Sequence, residues 1–235
     1  MGLTITSKSN PLYSKLLKLR KHPEDNKFII EGEDLVELAR SNSKLLFTFT
    51  YTGSSFSADY VLSKELYRNL SSYSSLPKVM GVGKFEFVKS DSFNRGIYLD
   101  GVQDPGNLGT IERSCLAFNY LNIFLSSDCV SPLNFKSVQA SKGALFYLNI
   151  SYCKLSDLKE KGYKIYATSL DKNAKELVKV DRPKNNYILV FGSEGQGVKK
   201  ENLKLADENI FIEMDRKIES LNVGVAASII MYNWR

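Results

Sequence analysis

The chain has 235 residues, 43% of them hydrophobic and 25% charged, with 32 basic residues against 26 acidic ones. This is the composition of an ordinary globular protein with room for one large domain or two smaller ones, and its modest positive excess permits a polyanionic partner without requiring one. No apolar run approaches the roughly 18 residues that span a bilayer, and residues 1–10 lack the apolar core of a signal peptide, so a cytoplasmic protein with no membrane segment is expected.

In chain order, Asn10 to Lys21 reads as a helix, with Ser9 or Asn10 able to cap it ahead of Pro11. No acidic residue precedes Glu24, while Lys8, Lys15, Lys18, Arg20 and Lys21 do, which makes either a basic face or a solvated helix surface. Lys27 to Ile30 reads as a strand, Gly32 to Arg40 as a helix and Leu45 to Tyr51 as a strand. Ser63 to Leu70 reads as a helix, Ser71 to Ser75 as a loop, and Val79 to Val82 as a strand. Phe85 to Val88 is expected to add a last strand. The polar stretch Lys89 to Arg95 then marks a domain boundary, giving domains 1–90 and 91–235.

The second half alternates more regularly. Strands are expected at Gly96 to Leu99, Leu121 to Leu125, Leu145 to Tyr152, Lys164 to Ser169, Tyr187 to Phe191 and Asn209 to Met214. Helices are expected at Leu108 to Phe118, Phe135 to Ser141, Leu155 to Lys161 and Val223 to Trp234. Such alternation implies an α/β fold with a parallel sheet covered on both faces. Cys115, Cys129 and Cys153 are odd in number and lack metal-ligand spacing, so they read as small apolar residues. A single histidine, His22, leaves no basis for a Ser-His-Asp triad or a multi-histidine metal site, and no metal is expected.

Three loops follow strands in this half, and in parallel α/β sheets ligands bind at the carboxyl ends of strands. Leu99 to Arg113 holds Gly101, Gly106 and Gly109 ahead of a helix, and Arg113 can make a forked contact to phosphate. Read alone, it is equally a turn and a helix with a surface arginine. Val190 to Gly197 places three glycines around Glu194, without the spacing of a dinucleotide fingerprint or a P-loop. Ile212 to Ala227 contains Ser220-Leu221-Asn222 at a helix entrance, where a plain helix cap is the simpler reading.

Together, in this order, the three loops resemble the signature motifs of the SpoU/TrmH family of RNA 2′-O-ribose methyltransferases. The matching residues are Asp104, Pro105, Asn107, Gly109 and Arg113. Next come Gly192, Glu194, Gly195 and Gly197, and then Ile212, Met214, Ser220, Leu221, Asn222, Val223 and Ala226. Ser193, Glu213 and the pair Ser114-Cys115 depart from the family's usual residues. The resemblance covers roughly 96–235. Less specifically, Phe28 to Val36 resembles the opening of the ribosomal-protein-like substrate domain found in many members.

The resemblance implies a C-terminal parallel-sheet methyltransferase domain closed by a trefoil knot, behind a small N-terminal α/β RNA-binding domain. It implies S-adenosylmethionine as cofactor, held by Thr168, Ser169, Gly192, Ile212 and Leu221. It assigns catalysis to Arg113, Asn107, Glu194, Ser220 and Asn222, and it implies a homodimer. A guanidinium stays protonated near neutral pH, so for Arg113 phosphate binding and alkoxide stabilisation are favoured over the role of general base. The expected substrate is ribosomal RNA, contacted by Lys15, Lys18 and Lys21. Transfer RNA is the alternative substrate, and a catalytically weak RNA-binding protein of the same fold is the alternative function.

Overall fold

Asn10 starts the first helix, α1 (Pro11–Lys21): its side chain accepts the N–H groups of Leu12 at 2.9 Å and Tyr13 at 3.3 Å. Pro11 sits in the first turn, where its missing N–H has no partner to lose. The computed structural model describes residues 3–88, 92–215 and 217–235. Lys89, Ser90 and Asp91 of the expected boundary stretch, and Arg216 of the third loop, lie outside the described residues, as do Met1 and Gly2. The chain forms two compact units, Met1–Glu86 with Ser131–Phe146, and Phe87–Val130 with Tyr147–Arg235.

The first unit is a five-stranded sheet. In chain order its strands are β1 (Leu3–Ile5), β2 (Lys27–Glu31), β3 (Leu45–Tyr51), β4 (Tyr60–Leu62) and β5 (Met80–Lys84), in the spatial order β1-β4-β3-β5-β2. Helices α1, α2 (Glu33–Ser41) and α3 (Lys64–Leu70) accompany it, and Ser63 caps α3 as expected. Leu16, Leu19, Ile29, Phe49 and Leu66 are among its buried core. Glu31 is 1% exposed, yet its carboxylate is satisfied by Ser71 Oγ at 2.5 Å, Ser72 Oγ at 2.5 Å and the Ser72 N–H. The serine-rich loop is therefore the hydrogen-bonding shell of a buried acid.

The second unit is a seven-stranded sheet, and every pairing in it is parallel. Its chain order is β6 (Arg95–Asp100), α4 (Pro105–Ala117), β7 (Asn122–Leu125), α5 (Phe135–Ser141), β8 (Asn149–Tyr152), α6 (Leu155–Glu160), β9 (Lys164–Thr168), β10 (Lys175–Glu176), β11 (Tyr187–Gly192), α7 (Lys200–Leu203), β12 (Glu208–Phe211) and α8 (Val223–Asn233). Of these, α5 groups with the first unit, where Phe135 joins the core. The spatial order is β10-β12-β9-β11-β6-β7-β8. Ile97, Leu99, Ile123, Ile165 and Leu189 have no exposed surface, as strands covered on both faces require.

Two expected strands differ. Phe85 to Val88 forms none: the Phe85 N–H bonds Asn26 O in the first unit and the Val88 N–H bonds Ile150 O in the second. Leu145 to Tyr152 divides into a 3₁₀ turn, Ala144–Tyr147, and β8.

Candidate active site

The register of the sheet brings the three loops to one end. Gly192 lies level with Asp100 across β11 and β6, and Thr168 lies level with Ile210 across β9 and β12. A cavity of about 430 Å³ opens at these carboxyl ends. Thr168, Ser169, Gly192, Ile212 and Leu221, the five expected cofactor contacts, all line it, together with Glu194 and Ser220. Phe191, Ile210 and Ile230 supply an apolar wall. The expected strand Asn209 to Met214 ends at Phe211, which frees Ile212 and Met214 to leave the sheet and face the cavity.

Gly192 has a local steric cause. A Cβ built there would lie 1.9 Å from the Gly197 carbonyl carbon and 2.0 Å from the Val198 nitrogen. The loop from Ser193 to Gly197 folds back tightly, with the Ser193 and Gly197 backbones bonded to each other at 3.0 and 3.1 Å. Its exit is fixed from β6. The buried Asp100 carboxylate accepts the Lys199 N–H at 2.8 Å, and Lys199 Nζ lies 3.3 Å from Asp100 and 2.9 Å from Asp128. The bond to Asp128 is the main reason the Lys199 ammonium is held above its ordinary pKa.

One hydrogen-bond chain joins all three loops. Asn107 Nδ2 donates to Glu194 Oε1 at 2.8 Å, and Asn222 Nδ2 donates to Asn107 Oδ1 at 2.9 Å. Asn222 Oδ1 accepts the N–H groups of Gly224 at 2.9 Å and Val225 at 3.3 Å, so it also caps α8. The helix-cap reading of this residue is correct and incomplete. Glu194 further accepts the backbone N–H groups of Gln103 at 3.4 Å and Asp104 at 3.3 Å. Burial by itself would raise the Glu194 carboxyl, but the Asn107 amide and these backbone donors outweigh it and hold the acid below its ordinary pKa.

Arg113 stands apart from this chain. It is exposed on α4, does not line the cavity, and has no hydrogen bond or ion pair among the described residues. Among the described residues, neither Ser220 nor Asn222 hydrogen-bonds it. The helix that carries it is well anchored: Ser114 and Ser228 hydroxyls bond at 2.7 Å, and Cys115 packs its sulfur 3.6 Å from that of Met231. The departing pair Ser114-Cys115 thus forms the seam between α4 and α8.

The basic face of α1 needs a correction. Lys18 Nζ pairs with Glu24 at 2.7 Å and Lys8 with Glu65 at 2.8 Å, so carboxylates do neutralise part of it. Arg20 lies 3.4 Å over the Phe135 ring and donates from Nε to Leu70 O at 3.0 Å. Lys15 and Lys21 remain exposed, with no ion pair among the described residues. Among the described residues there is no cluster of three or more His, Cys, Asp or Glu able to hold a metal, and no helix long and apolar enough to cross a membrane.

Comparison with known proteins agrees with this geometry. The 23S rRNA (guanosine(2553)-2′-O)-methyltransferase RlmP of Bacillus subtilis is 28% identical, aligned over 95% of this chain and 94% of its own length. The tRNA (guanosine(18)-2′-O)-methyltransferase of Thermus thermophilus is 34% identical over 58% of this chain and 71% of its own length. The AdoMet-bound rRNA methyltransferase of Sinorhizobium meliloti superposes with a TM-score of 0.86 at 21% identity, over 99% of this chain and 97% of that one, which establishes a shared fold. The SpoU rRNA Methylase family matches residues 94–232, more than half of the chain, so the protein belongs to that family and is an RNA methyltransferase.

Proposed function

We propose that the protein methylates a ribose 2′-hydroxyl of ribosomal RNA, with S-adenosylmethionine in the cavity between the second and third loops. The observation that carries this reading is the Glu194–Asn107–Asn222 chain of hydrogen bonds, which ties the first loop to the second and third, the two that line the cavity. The cavity suits the cofactor: its volume falls in the range of small-molecule sites, and an apolar wall of Phe191, Ile210 and Ile230 stands beside polar groups such as Thr168, Ser169 and Glu194. When bound, S-adenosylmethionine supplies a methyl group already activated by its sulfonium.

The protein's own task is then alignment and charge control. Asn107, Glu194 and Asn222 act as positioning residues, because their polar atoms are spent on one another and on backbone N–H groups. Ser220 lines the cavity, its hydroxyl has no hydrogen-bond partner among the described residues, and it is assigned to the ribose end. Arg113, whose fork has no partner among the described residues, grips the substrate phosphate and stabilises the alkoxide that develops as the hydroxyl loses its proton.

Ribosomal RNA is favoured over transfer RNA by extent. The ribosomal RNA enzyme aligns with both units of this chain, whereas the transfer RNA enzyme aligns with 58% of it. Residues 1–90 are assigned to RNA capture, with exposed Lys15 and Lys21 the main contacts and Lys18 available only once its bond to Glu24 opens. The enzyme is placed in the cytoplasm with its substrate.

A two-fold dimer is assigned to α8 and its neighbour α4. Val225, Ile229 and Tyr232 form an exposed apolar stripe at spacings of four and three, and Leu116 lies exposed on α4. Ile229→Glu should convert a dimer to a monomer in sedimentation, and a monomeric wild type would remove this assignment. The C-terminal segment is assigned the family's knot.

The test of function is Arg113→Ala in single-turnover methylation with saturating cofactor and RNA. Loss of one strong electrostatic contact costs roughly 10²–10³ in rate. Cofactor affinity should stay within about twofold, because Arg113 lies outside the cavity lining. Arg113→Lys should rescue little, since a point charge cannot reproduce a fork. A near-normal rate for Arg113→Ala would overturn the mechanism.

A further inference from the structure

A second cavity, of about 330 Å³, opens at the opposite end of β11, among the amino-terminal ends of β6, β7 and β11. Its walls carry Arg95, Arg182 and Lys184, with the amides of Asn94, Asn119, Asn122 and Asn185, and, among the described residues, no Asp or Glu. Some cations elsewhere in this unit are paired: Lys159 with Asp207 at 2.7 Å, Lys175 with Glu208 at 2.5 Å, and Lys199 with Asp128 at 2.9 Å. Among the described residues, no Asp or Glu side chain lies within ion-pair distance of Arg95, Arg182 or Lys184.

Two of these cations are held in position. Arg95 donates from Nε to Asn119 O at 3.1 Å, and its guanidinium lies 4.7 Å over the Tyr120 ring, leaving its terminal nitrogens for a ligand. Arg182 donates from one terminal nitrogen to Arg235 O at 2.5 Å and keeps the other. Behind them the floor is rigid: the Tyr120 and Tyr187 hydroxyls bond at 2.8 Å, and the Tyr120 hydroxyl donates to Trp234 O at 3.1 Å. Side chains ordered before binding lose less entropy when a ligand arrives. Both tyrosines are almost fully buried, so no open aromatic face is offered for a base to stack upon. Forked cations and amides without an aromatic platform fit a phosphate rather than a nucleobase.

We propose that this cavity grips a backbone phosphodiester of the RNA substrate, at a point remote from the methyl-transfer loops. The inference rests on the RNA methyltransferase reading and extends its footprint. The two cavities lie at opposite ends of a six-residue strand. Five rises of about 3.3 Å separate them by about 17 Å. A folded RNA reaching both would be fixed in orientation as well as held, since phosphate contacts set register without reading sequence.

The experiment uses the full chain and three proteins: wild type, Arg182→Glu/Lys184→Glu, and Lys161→Glu/Lys200→Glu. The last carries the same change in charge on exposed residues outside the cavity lining. Inorganic phosphate is titrated while backbone amide resonances are followed, and bacterial ribosomal RNA is titrated at several salt concentrations. Phosphate should shift resonances of residues 94–95, 119–122 and 182–185 in the wild type and the control, and not in the cavity variant. The cavity variant should bind RNA at least tenfold more weakly at low salt. Its plot of log affinity against log salt should be shallower by about 1–2, the release expected for one or two lost phosphates. S-adenosylmethionine affinity should be unchanged in all three proteins. Equal weakening by cavity variant and control would reduce the effect to overall charge and overturn the proposal, as would phosphate shifts located elsewhere. If the wild type bound phosphate in this cavity but neither bound nor methylated RNA, the substrate reading would fail while the anion site stood.

Discussion

Glu112 offers the sharpest thermodynamic test of the fold. It follows Ile111 on α4, has no exposed surface, and neither carboxylate oxygen has a hydrogen-bond partner among the described residues. Burial alone pushes its carboxyl well above the ordinary value of 4.5. The folded protein therefore holds a proton that the unfolded chain releases once pH exceeds about 4.5. Stability from this group is complete below that pH and is lost as pH rises toward the folded value. The slope is about 1.4 kcal/mol per pH unit between the two values. Glu112→Gln keeps the shape and removes the ionisation, and Glu112→Leu also removes an unsatisfied polar group worth about 1–3 kcal/mol. Urea unfolding of the three proteins at pH 5.5, 6.5, 7.5 and 8.5 (values set by the roughly 1.4 kcal/mol per unit slope) measures the difference. Both variants should gain on wild type as pH rises, and at neutral pH Glu112→Leu should melt about 4–8 °C higher, as about 2 kcal/mol predicts for a chain of this size. Wild type and Glu112→Gln sharing one pH dependence would refute the reasoning.

Asn107→Ala should uncouple the three loops while leaving α4 folded. It removes the amide that both lowers the Glu194 carboxyl and receives Asn222. The depressed Glu194 pKa contributes stability that is present above the ordinary carboxylate value and lost as pH falls through the folded one. In the variant this acid-side loss should begin at higher pH, with a stability cost of about 1 kcal/mol at neutral pH, since Glu194 is largely exposed. An unchanged acid limb of the unfolding profile would show that the chain of bonds does not hold in solution. Lys15→Glu/Lys21→Glu should weaken RNA binding several-fold and lower its salt slope by about 1–2, with S-adenosylmethionine affinity unaltered. Unaltered RNA binding would return α1 to a solvated surface.

The elements legible in the sequence are those whose cause is local. Asn10 and Ser63 cap helices at the positions their chemistry marks, and Leu45–Tyr51 and Phe135–Ser141 match the expected boundaries. The meeting of three loops followed from strand direction alone. What escaped depends on partners distant in sequence. Leu3–Ile5 is a three-residue strand that exists by pairing with Tyr60–Leu62, which itself pairs with β3, and β10 has two residues. Glu24 and Glu65 neutralise lysines only after folding brings them near. The apolar pattern of α4 locates its buried face but gives no sign that Glu112 sits there unpartnered. Asn107, Glu194 and Asn222 were each legible as motif residues. Their mutual bonds were not, because no spacing rule joins residues on three different loops.

The central claim is transfer of a methyl group to a ribose oxygen. The direct measurement is incubation of the wild-type protein with S-adenosylmethionine labelled in its methyl group and unmodified ribosomal RNA, then complete digestion and separation of the nucleosides. The account predicts label in a single 2′-O-methylated nucleoside, absent with Arg113→Ala. Label on a base, or RNA left unlabelled by a protein that binds both S-adenosylmethionine and RNA, would contradict it.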